Sequence, residues 1–437
     1  MYILYSVVLF GALLALLPAY VLRPESLRGV SLHLGQRLGW GIPRRDPGRQ
    51  AIWIHAVSVG EVLSLQSLVT ELRRRNPGWQ IFFSTLTNTG YRLARQRIKG
   101  ADHIFFVPFD FGWSVRRVLK CVQPSVLVLA ESEFWPNLLR LSHARGVSVI
   151  LANGRISDRS FRRYRVLKRL AVRLWAFVDL FLVQTGQDMA RLEELGADPA
   201  RVKVTGNLKS EIRLREWGPA DIGRMKARIG LPKGARLVVA GSTREGEEAL
   251  LLQGFREARR EDDEVFLILA PRHPGRVDEV ERTCRGAGWA VSRRTSLRAG
   301  EKWDILIIDT LGELADFYAL SDAAFVGGSL VPWGGHNILE PAFYGRPVFF
   351  GPYMHNFAHL ARTFVEGGGA KVVRTEGDIA RLFDLRDPRS LKIQGDKARK
   401  ILASLQGATA RTIGPIENAM GTDTKSNRRP SRKGRTA

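Results

Sequence analysis

Short apolar runs alternate with amphipathic segments of helical length along most of the chain. The runs are rich in β-branched and aromatic residues, which is typical of buried strands. In the first half they span residues 52–55, 80–84, 103–107, 126–130, 147–152, 180–183 and 202–204. In the second half they span residues 237–240, 265–270, 305–308, 323–326 and 348–350. This alternation predicts an α/β fold with two doubly wound sheets, each in its own Rossmann-like domain.

The first 22 residues break this pattern because they carry no charge and are largely apolar. About 20 apolar residues are enough to cross a bilayer. No basic residue precedes the stretch, unlike in a cleaved signal peptide, whereas Arg23, Arg28 and Arg37 follow it. By the positive-inside rule, we expect residues 1–22 to form a retained transmembrane helix that leaves the rest of the chain in the cytoplasm.

The chain has 437 residues, which exceeds one ordinary hydrophobic core and favours two domains. Strand signals are sparse between Gly206 and Gly234, so we place the boundary there. The expected organisation is a first domain at 23–207, an interdomain linker at 208–234 and a second domain at 235–406. Residues 407–437 end in a dense basic run, which predicts a disordered tail. The two domains are expected to face a cleft, where ligands commonly bind.

The net charge of +24 predicts an anionic partner, which is a nucleic acid, an anionic lipid surface or a phosphorylated substrate. The basic residues are mostly scattered, and no nucleic-acid-binding motif accompanies them, so we expect no nucleic-acid partner. Cys121 and Cys284 lie far apart without a disulfide framework, which fits a reducing compartment.

Three charged residues of the first half follow predicted strands, at the edge where open α/β sheets place their sites. Glu61 comes after the first run and the small residues Ser58 and Gly60, and it opens a helical pattern. Glu131 and Lys209 follow two later runs. Such a carboxylate serves either as a base or as a complement to the helix dipole. A lysine there either stabilises developing negative charge or is a solvated surface residue.

The second half places small and polar residues after its predicted strands. The glycines of 327–337 and the small residues of 241–243 free the backbone, so we expect both turns to hold a phosphate. Arg272 suits the same role. His355 and His359 have HxxxH spacing without a nearby third ligand, so we expect them to be structural and predict no metal site.

Seven short motifs, taken in order, make the chain resemble a known family, the 3-deoxy-manno-octulosonic acid (Kdo) transferases of lipopolysaccharide assembly. They are Trp53-Ile-His-Ala-Val-Ser-Val-Gly-Glu61, Glu131-Ser-Glu-Phe-Trp-Pro-Asn137, Thr205-Gly-Asn-Leu-Lys209, Pro271-Arg-His-Pro274, Leu311-Gly-Glu313, Gly327-Gly-Ser329 and Gly335-His-Asn-Ile-Leu-Glu-Pro341. The resemblance covers the chain to about residue 405. One departure is Phe134, where an aliphatic residue is more usual.

The resemblance implies a GT-B fold and an inverting glycosyltransferase anchored in the inner membrane. Its expected partners are the donor CMP-Kdo, a lipid A precursor (lipid IVA) as acceptor, and an anionic lipid surface, with no cofactor. It implies that Glu61 is the general base and that Glu131 and Lys209 support the transition state. The residues that match CMP contacts of the family are Pro271, Arg272, Leu311, Gly312, Glu313, Asn337 and Glu340.

Other functions share parts of this pattern. Another membrane-associated GT-B glycosyltransferase with a different nucleotide sugar has the same architecture, and competition between CMP and UDP separates the two. A nucleotide-sugar epimerase also has two such domains, although the expected anchor argues against it. A basic nucleic-acid-binding protein predicts an affinity for DNA or RNA that falls steeply with salt.

Overall fold

The computed structural model of the protein describes residues 2–21, 33–212, 214–298 and 300–421. The chain divides into two compact units. The first comprises Met1–Glu211 and Gln406–Ala437, and the second comprises Ile212–Leu405.

The first unit is built on a seven-stranded parallel sheet in the order β3-β2-β1-β4-β5-β6-β7. All seven strands were predicted from apolar runs, and the structure confirms them within two residues. Four of the seven strands are buried along their whole length, on both faces of the sheet, which explains why their runs are almost continuously apolar. The strands are β1 Ala51–Ala56, β2 Gln80–Thr85, β3 His103–Phe106, β4 Val126–Ala130, β5 Ser148–Gly154, β6 Leu180–Val183 and β7 Val202–Val204.

Helices cover both faces of this sheet. In chain order they are α1 Tyr2–Val21, α2 Leu34–Arg37, α3 Val59–Arg75, α4 Asn88–Arg97, α5 Gly112–Val122, α6 Pro136–His143, α7 Asp158–Val166, α8 Lys168–Trp175 and α9 Gly186–Glu194. Apolar residues of α5, α6, α8 and α9 share one core cluster with the sheet. Those of α3 and α4 form the cluster on the opposite face. The result is the three-layer arrangement that the alternation predicts.

The second unit repeats the plan with a parallel sheet in the order β10-β11-β9-β8-β12-β13-β14. Its strands are β8 Arg236–Thr243, β9 Val265–Pro271, β10 Val291–Arg293, β11 Ile305–Ile307, β12 Ala323–Val326, β13 Val348–Phe350 and β14 Ala370–Val372. The two outermost strands, β10 and β14, were not predicted. Each has three residues and includes polar side chains, so neither leaves an apolar run in the sequence.

The helices of the second unit are α10 Pro219–Arg228, α11 Glu247–Glu261, α12 Val277–Gly286, α13 Leu314–Leu320, α14 Leu339–Phe343, α15 Ala358–Glu366, α16 Glu376–Phe383 and α17 Pro388–Leu405. Part of the expected linker at 208–234 is therefore structured. The first of these helices packs its Ile222 and Met225 against a core cluster of the second unit. The division between the units falls at Glu211, before that helix.

The last helix corrects the expected tail. Residues Ala408–Gly421 form α18, and Ile413 and Ile416 are fully buried in the core of the first unit. The prediction of disorder from residue 407 is therefore wrong up to residue 421. Pro415 inside the helix and the neighbouring Gly414 weaken the helical signal, although 413 and 416 keep helical spacing. The basic run after residue 421 lies outside the described residues.

The N-terminal helix α1 covers most of the predicted anchor. Its side chains from Tyr2 to Phe10 include several exposed apolar residues. Among the residues that the structure describes, no helix has the combination of length and hydropathy that crossing a membrane requires.

Candidate active site

Glu61 lies in the first turn of α3, directly beyond the carboxyl end of β1. Ser58 is the N-cap, and its Oγ accepts a hydrogen bond from the Glu61 N–H at 3.3 Å. In return, Ser58 Oγ–H donates to Glu61 Oε1 at 2.8 Å, and the Val57 N–H donates to Oε2 at 2.8 Å. This reciprocal capping holds the carboxylate in one orientation. The prediction that Glu61 opens a helix is confirmed.

The surroundings of Glu61 raise its pKa. Burial of the carboxyl has the largest effect, and the charge of Glu131 acts in the same direction. The hydrogen bonds from Val57 and Ser58 and the charge of Lys209 oppose the shift. A raised pKa makes the carboxylate a stronger proton acceptor, which is the property that a general base needs.

Glu131 and Lys209 form an ion pair, with Nζ 2.5 Å from Oε1. Glu131 has a φ of 52°, in the left-handed region that non-glycine residues rarely adopt. Such strain persists where the surrounding structure fixes it, and it is common at functional sites. Lys209 also lies against the turn that carries Glu61, because a Cβ on Gly60 would be 3.8 Å from its Nζ. The three predicted residues therefore come together.

Asn153 positions the lysine of this pair. Its side-chain Oδ1 accepts a hydrogen bond from the Leu208 N–H at 2.9 Å, and Leu208 begins the short 3₁₀ turn that contains Lys209. Asn153 is fully buried at the end of β5 and also has a positive φ, 56°. The end of β5 thus contributes a support for the site.

A third glutamate, Glu133, joins this group and was not assigned a role from the sequence. Its Oε2 accepts a hydrogen bond from Trp135 Nε1–H at 2.8 Å. Burial raises its pKa to about 7, and the nearby charges of Glu61 and Glu131 add to the shift. Three carboxylates and one lysine therefore lie near the carboxyl ends of β1 and β4.

In the second unit, cationic side chains gather beyond β8, β9 and β12. Arg244 Nη1 lies 2.8 Å from His273 Nε2, and its guanidinium stacks over Trp333 at 4.5 Å. Burial lowers the pKa of His336 to about 4, and the charges of Arg272, Arg244 and His273 contribute. Arg244 and Arg272 supply positive charge in this region, which suits an anionic group.

Glu340 faces the same region. Burial raises its pKa, and the positive charge of Arg272 counteracts that effect. Asn337 accepts the Leu339 N–H at 3.1 Å through Oδ1 at the start of α14. The structure thus brings predicted residues from the β9 and β12 loops to one edge, with Pro271 at the end of β9.

The turn of Leu311, Gly312 and Glu313 follows β11, next to β9 in the sheet. Leu311 is 82% exposed, and Gly312 has a φ of 90°. Glu313 pairs with Arg294 at 3.2 Å. The structure therefore places this turn at the same edge of the sheet as Arg272 and Glu340.

The expected phosphate-binding amides of the 327–337 stretch are largely engaged by a protein carboxylate. Glu247 Oε1 accepts from the N–H groups of Ser329 and Leu330 at 2.9 and 2.8 Å. Its Oε2 accepts from Gly328 at 2.6 Å and from Arg244 at 2.8 Å. The expectation that these amides hold a phosphate is therefore wrong for residues 328–330, because their hydrogen atoms already have an acceptor.

The turn at 241–243 also differs from expectation. These residues continue β8, and a Cβ on Gly241 would lie 2.0 Å from the Tyr318 hydroxyl. The space that the glycine leaves is thus occupied by a buried tyrosine. The small residue is required for packing inside the unit.

Within the described residues, no group of three or more His, Cys, Asp or Glu side chains could hold a metal ion. His355 lies in a 3₁₀ turn, and His359 lies in the helix that follows it.

The fold is shared with solved structures of low sequence identity. A putative UDP-N-acetylglucosamine 2-epimerase from Listeria monocytogenes has a TM-score of 0.56 at 14% identity, covering 85% of this chain and 97% of that chain. A glycosyltransferase from Rickettsia africae has a TM-score of 0.53 at 10% identity, covering 86% of this chain and 100% of that chain. The two parallel-sheet units therefore resemble those of GT-B glycosyltransferases.

Sequence similarity identifies the family of glycosyltransferases to which the chain belongs. The family described as 3-deoxy-D-manno-octulosonic-acid transferase (kdotransferase) matches residues 32–212. A 3-deoxy-D-manno-octulosonic acid transferase from Haemophilus influenzae is 31% identical over 87% of this chain and 90% of its own length. One from Bordetella pertussis is 36% identical over 85% of this chain and 87% of its own length. The chain belongs to the Kdo transferase family, and it is a glycosyltransferase of lipopolysaccharide biosynthesis.

Several contacts of the site were not predicted. Ser58 and Glu61 stand three positions apart, which is the spacing of a capping box, and this local signal could have revealed their pairing. Glu247 and His336 carry no comparable signal. Their partners lie far away in sequence, and only the order of the strands brings them together.

We expect Glu247→Gln to loosen the loop at 328–330. The amide group of glutamine would turn a donor toward backbone N–H groups and leave some of them unsatisfied, which costs about 1–3 kcal/mol per buried group. Hydrogen exchange at 328–330 should therefore accelerate, and the free energy of unfolding of the second unit should fall. The matched control is Glu248→Gln, because Glu248 lies on the same helix as Glu247. This change breaks a buried ion pair with Arg276. Unchanged exchange at 328–330 in Glu247→Gln would contradict this assignment.

Glu133 should make the stability of the first unit depend on pH. Its folded pKa of about 7 lies above the ordinary value of 4.5, so the folded state binds the proton more tightly. The resulting stabilisation is fully present below pH 4.5 and is lost as the pH rises through 7. Urea unfolding between pH 4 and pH 8 should show this loss in the wild type, and Glu133→Gln should reduce it. Glu194→Gln, which changes an exposed glutamate of the same unit, should retain the wild-type profile.

Proposed function

We propose that this enzyme transfers Kdo from CMP-Kdo to a lipid A precursor, lipid IVA, with inversion at the anomeric carbon. The observation that carries the proposal is the oriented carboxylate of Glu61 beside the Glu131–Lys209 pair, in a chain of the Kdo transferase family. The acceptor and the residue roles come from the resemblance and the site chemistry together.

Glu61 is suited to take the proton of the acceptor hydroxyl. Each of its oxygens accepts one hydrogen bond from the protein, so each keeps a lone pair for an incoming O–H. In the proposed step, the acceptor oxygen bonds to the anomeric carbon while the bond from that carbon to the CMP phosphate oxygen breaks. The hydroxyl proton passes to Glu61, and CMP leaves with the electron pair.

The pair of Glu131 and Lys209 supports this step electrostatically. Lys209 supplies a positive charge near the turn of Glu61, where negative charge moves as the donor bond breaks. Glu131 holds the ammonium group in place. Without that partner, the flexible lysine side chain would occupy many positions.

The leaving phosphate is proposed to bind the side chains beyond β8, β9 and β12. Because Glu247 occupies the amides of 328–330, Arg272 with Arg244 and His336 carries more of this task than the glycine loop. The residues proposed to contact CMP remain Pro271, Arg272, Leu311, Gly312, Glu313, Asn337 and Glu340.

We also propose that the enzyme acts at the cytoplasmic face of the inner membrane. Residues 1–22 are the proposed anchor, with one face of α1 against the first unit and its exposed apolar side chains toward the lipid. The helices α7 and α8 add a second surface, in which Val166 and Leu167 are 84% and 48% exposed. Seven exposed basic residues surround them: Arg159, Arg162, Arg163, Arg165, Lys168, Arg169 and Arg173. Exposed apolar and basic side chains on neighbouring helices favour an anionic lipid surface.

The central test is transfer of labelled Kdo from CMP-Kdo to lipid IVA in detergent. We expect the wild type to transfer, and Glu61→Gln to lose about 10²–10⁴-fold in kcat because it cannot accept the proton. CMP affinity should be unchanged. Glu71→Gln is the control, since Glu71 lies on the same helix and pairs with Arg74 and Arg75.

Two results would contradict the proposal in different ways. Full activity of Glu61→Gln would move the base to another carboxylate of the site. If the wild type does not transfer Kdo and binds UDP in place of CMP, the proposed donor is wrong, whereas the assignment of the fold still holds.

Charge reversal on α7 and α8 should weaken membrane binding. We expect the triple change Arg162→Glu, Arg165→Glu and Arg169→Glu to abolish most sedimentation with phosphatidylglycerol vesicles, because each basic residue contributes about 1 kcal/mol near an anionic surface. Wild-type binding should fall with salt.

The control changes three exposed basic residues on α17 of the second unit: Arg389→Glu, Lys397→Glu and Lys400→Glu. Equal losses in both triple variants would show that net charge alone, rather than this surface, drives the binding.

A further inference from the structure

A groove lies between α1 and the beginnings of α5 and α6, within the first unit. It has a volume of about 550 Å³, which is within the usual range of ligand pockets. Most of its lining is apolar: Ile3, Val7, Phe10, Leu38, Phe111 and Trp113. We call this the α1 groove.

α1 forms one wall of the groove, and three contacts along one of its faces join it to α5 and α6. The ring of Tyr2 lies under the Arg140 guanidinium at 4.6 Å, and Ser6 Oγ accepts a hydrogen bond from Asn137 Nδ2 at 3.2 Å. Phe10 meets Phe111 edge to face at 6.3 Å. The next residues around the helix, Ile3 and Val7, line the groove while remaining 83% and 61% exposed. The groove therefore has an apolar wall that the protein itself leaves uncovered.

Positive charge lines the same groove. Arg116 and Arg140 belong to its lining, and within the described residues no carboxylate lies within ion-pair distance of either one. The buried carboxylate of Asp110 nearby is engaged by the N–H groups of Asn137 and Leu138 at 2.9 and 2.8 Å. Arg140 interacts electrostatically with Asp110 but forms no close ion pair with it. An apolar wall beside guanidinium groups without an ion-pair partner matches a molecule that has a hydrocarbon part and an anionic part.

The groove is linked to the catalytic edge along the chain. Asn137, which lines it, ends the motif that begins with Glu131 and includes Glu133. The loop that carries two of the site carboxylates therefore leads directly into the helix that forms one wall of the groove.

We propose that the α1 groove binds an acyl chain of the phosphorylated lipid acceptor, with Arg116 and Arg140 facing its anionic groups. This inference rests on the proposed lipid acceptor. It assigns to the first unit a site that recognises the lipid part of the acceptor, separate from the carboxylates that act on its hydroxyl group.

Gly112 offers a way to fill the groove. It is the first residue of α5, and a Cβ there would lie 3.8 Å from Arg116 Nη1 and 3.9 Å from Asn137 Oδ1, both in groove residues. A larger side chain at 112 therefore enters the groove without a clash at its Cβ. Gly186 is the matched control, because it is the first residue of α9 and has nothing within 4 Å of its Cβ position.

The test compares KM for the lipid A precursor with KM for the same phosphorylated disaccharide lacking its acyl chains. We expect Gly112→Leu to raise KM for the acylated acceptor about tenfold or more, which corresponds to about 1.4 kcal/mol. KM for the deacylated acceptor, KM for CMP-Kdo and kcat at saturation should stay within about twofold. Gly112→Ala should have a smaller effect, and Gly186→Leu none.

An unchanged KM for the acylated acceptor in Gly112→Leu, at wild-type thermal stability, would overturn the groove assignment while leaving Kdo transfer established. Failure of the wild type to transfer to either acceptor would instead overturn the proposed function. A photoactivatable palmitate probe supplies a readout independent of activity. Labelling of residues 2–10 and 111–116 should be displaced by the acylated acceptor, and labelling that persists would also overturn the assignment.

Discussion

Carboxylates that satisfy backbone N–H groups at the ends of strands organise both units of this protein. A parallel sheet gathers its loops at one edge, and each loop leaves amides that must find acceptors when they are buried. Asp188 accepts from Ile156 at 2.8 Å, Asp110 serves the start of α6, and Glu247 serves four amides from two loops. These acidic residues fix the loops, and the fixed loops in turn position the residues that carry chemistry.

Acidic residues of two kinds lie at these edges: those whose oxygens are filled by backbone N–H groups, and those that keep lone pairs free. Glu247 accepts four hydrogen bonds, all from backbone N–H groups, whereas Glu61 accepts only two and keeps lone pairs available. Glu131 pairs with a lysine and Glu133 with an indole N–H. The cluster near β1 and β4 therefore concentrates negative charge around a single ammonium group, which explains why burial and mutual repulsion raise the pKa of Glu133.

The sequence was sufficient to predict most of the fold and to single out three of the charged residues that the structure brings together in the first unit. Buried parallel strands are nearly continuous apolar runs, so twelve of them stood out, whereas β10 and β14 are short and partly polar. Glu61, Glu131 and Lys209 could be predicted because each follows a strand within a recognisable motif. The engagement of the 328–330 amides by Glu247 could not be predicted, because it joins loops that are distant in sequence. The same is true of Gly241, whose small size serves a buried tyrosine.

The return of the chain to its first unit has a consequence for its synthesis. A ribosome releases the seven strands of the first sheet well before α18, whose Ile413 and Ile416 complete one of its two apolar layers. Until α18 has been translated, that layer lacks part of its apolar cover, while the whole second unit emerges in between. The first unit thus begins to fold before the second and is completed after it, so a nascent chain that stalls before α18 carries an incomplete first unit with exposed apolar surface.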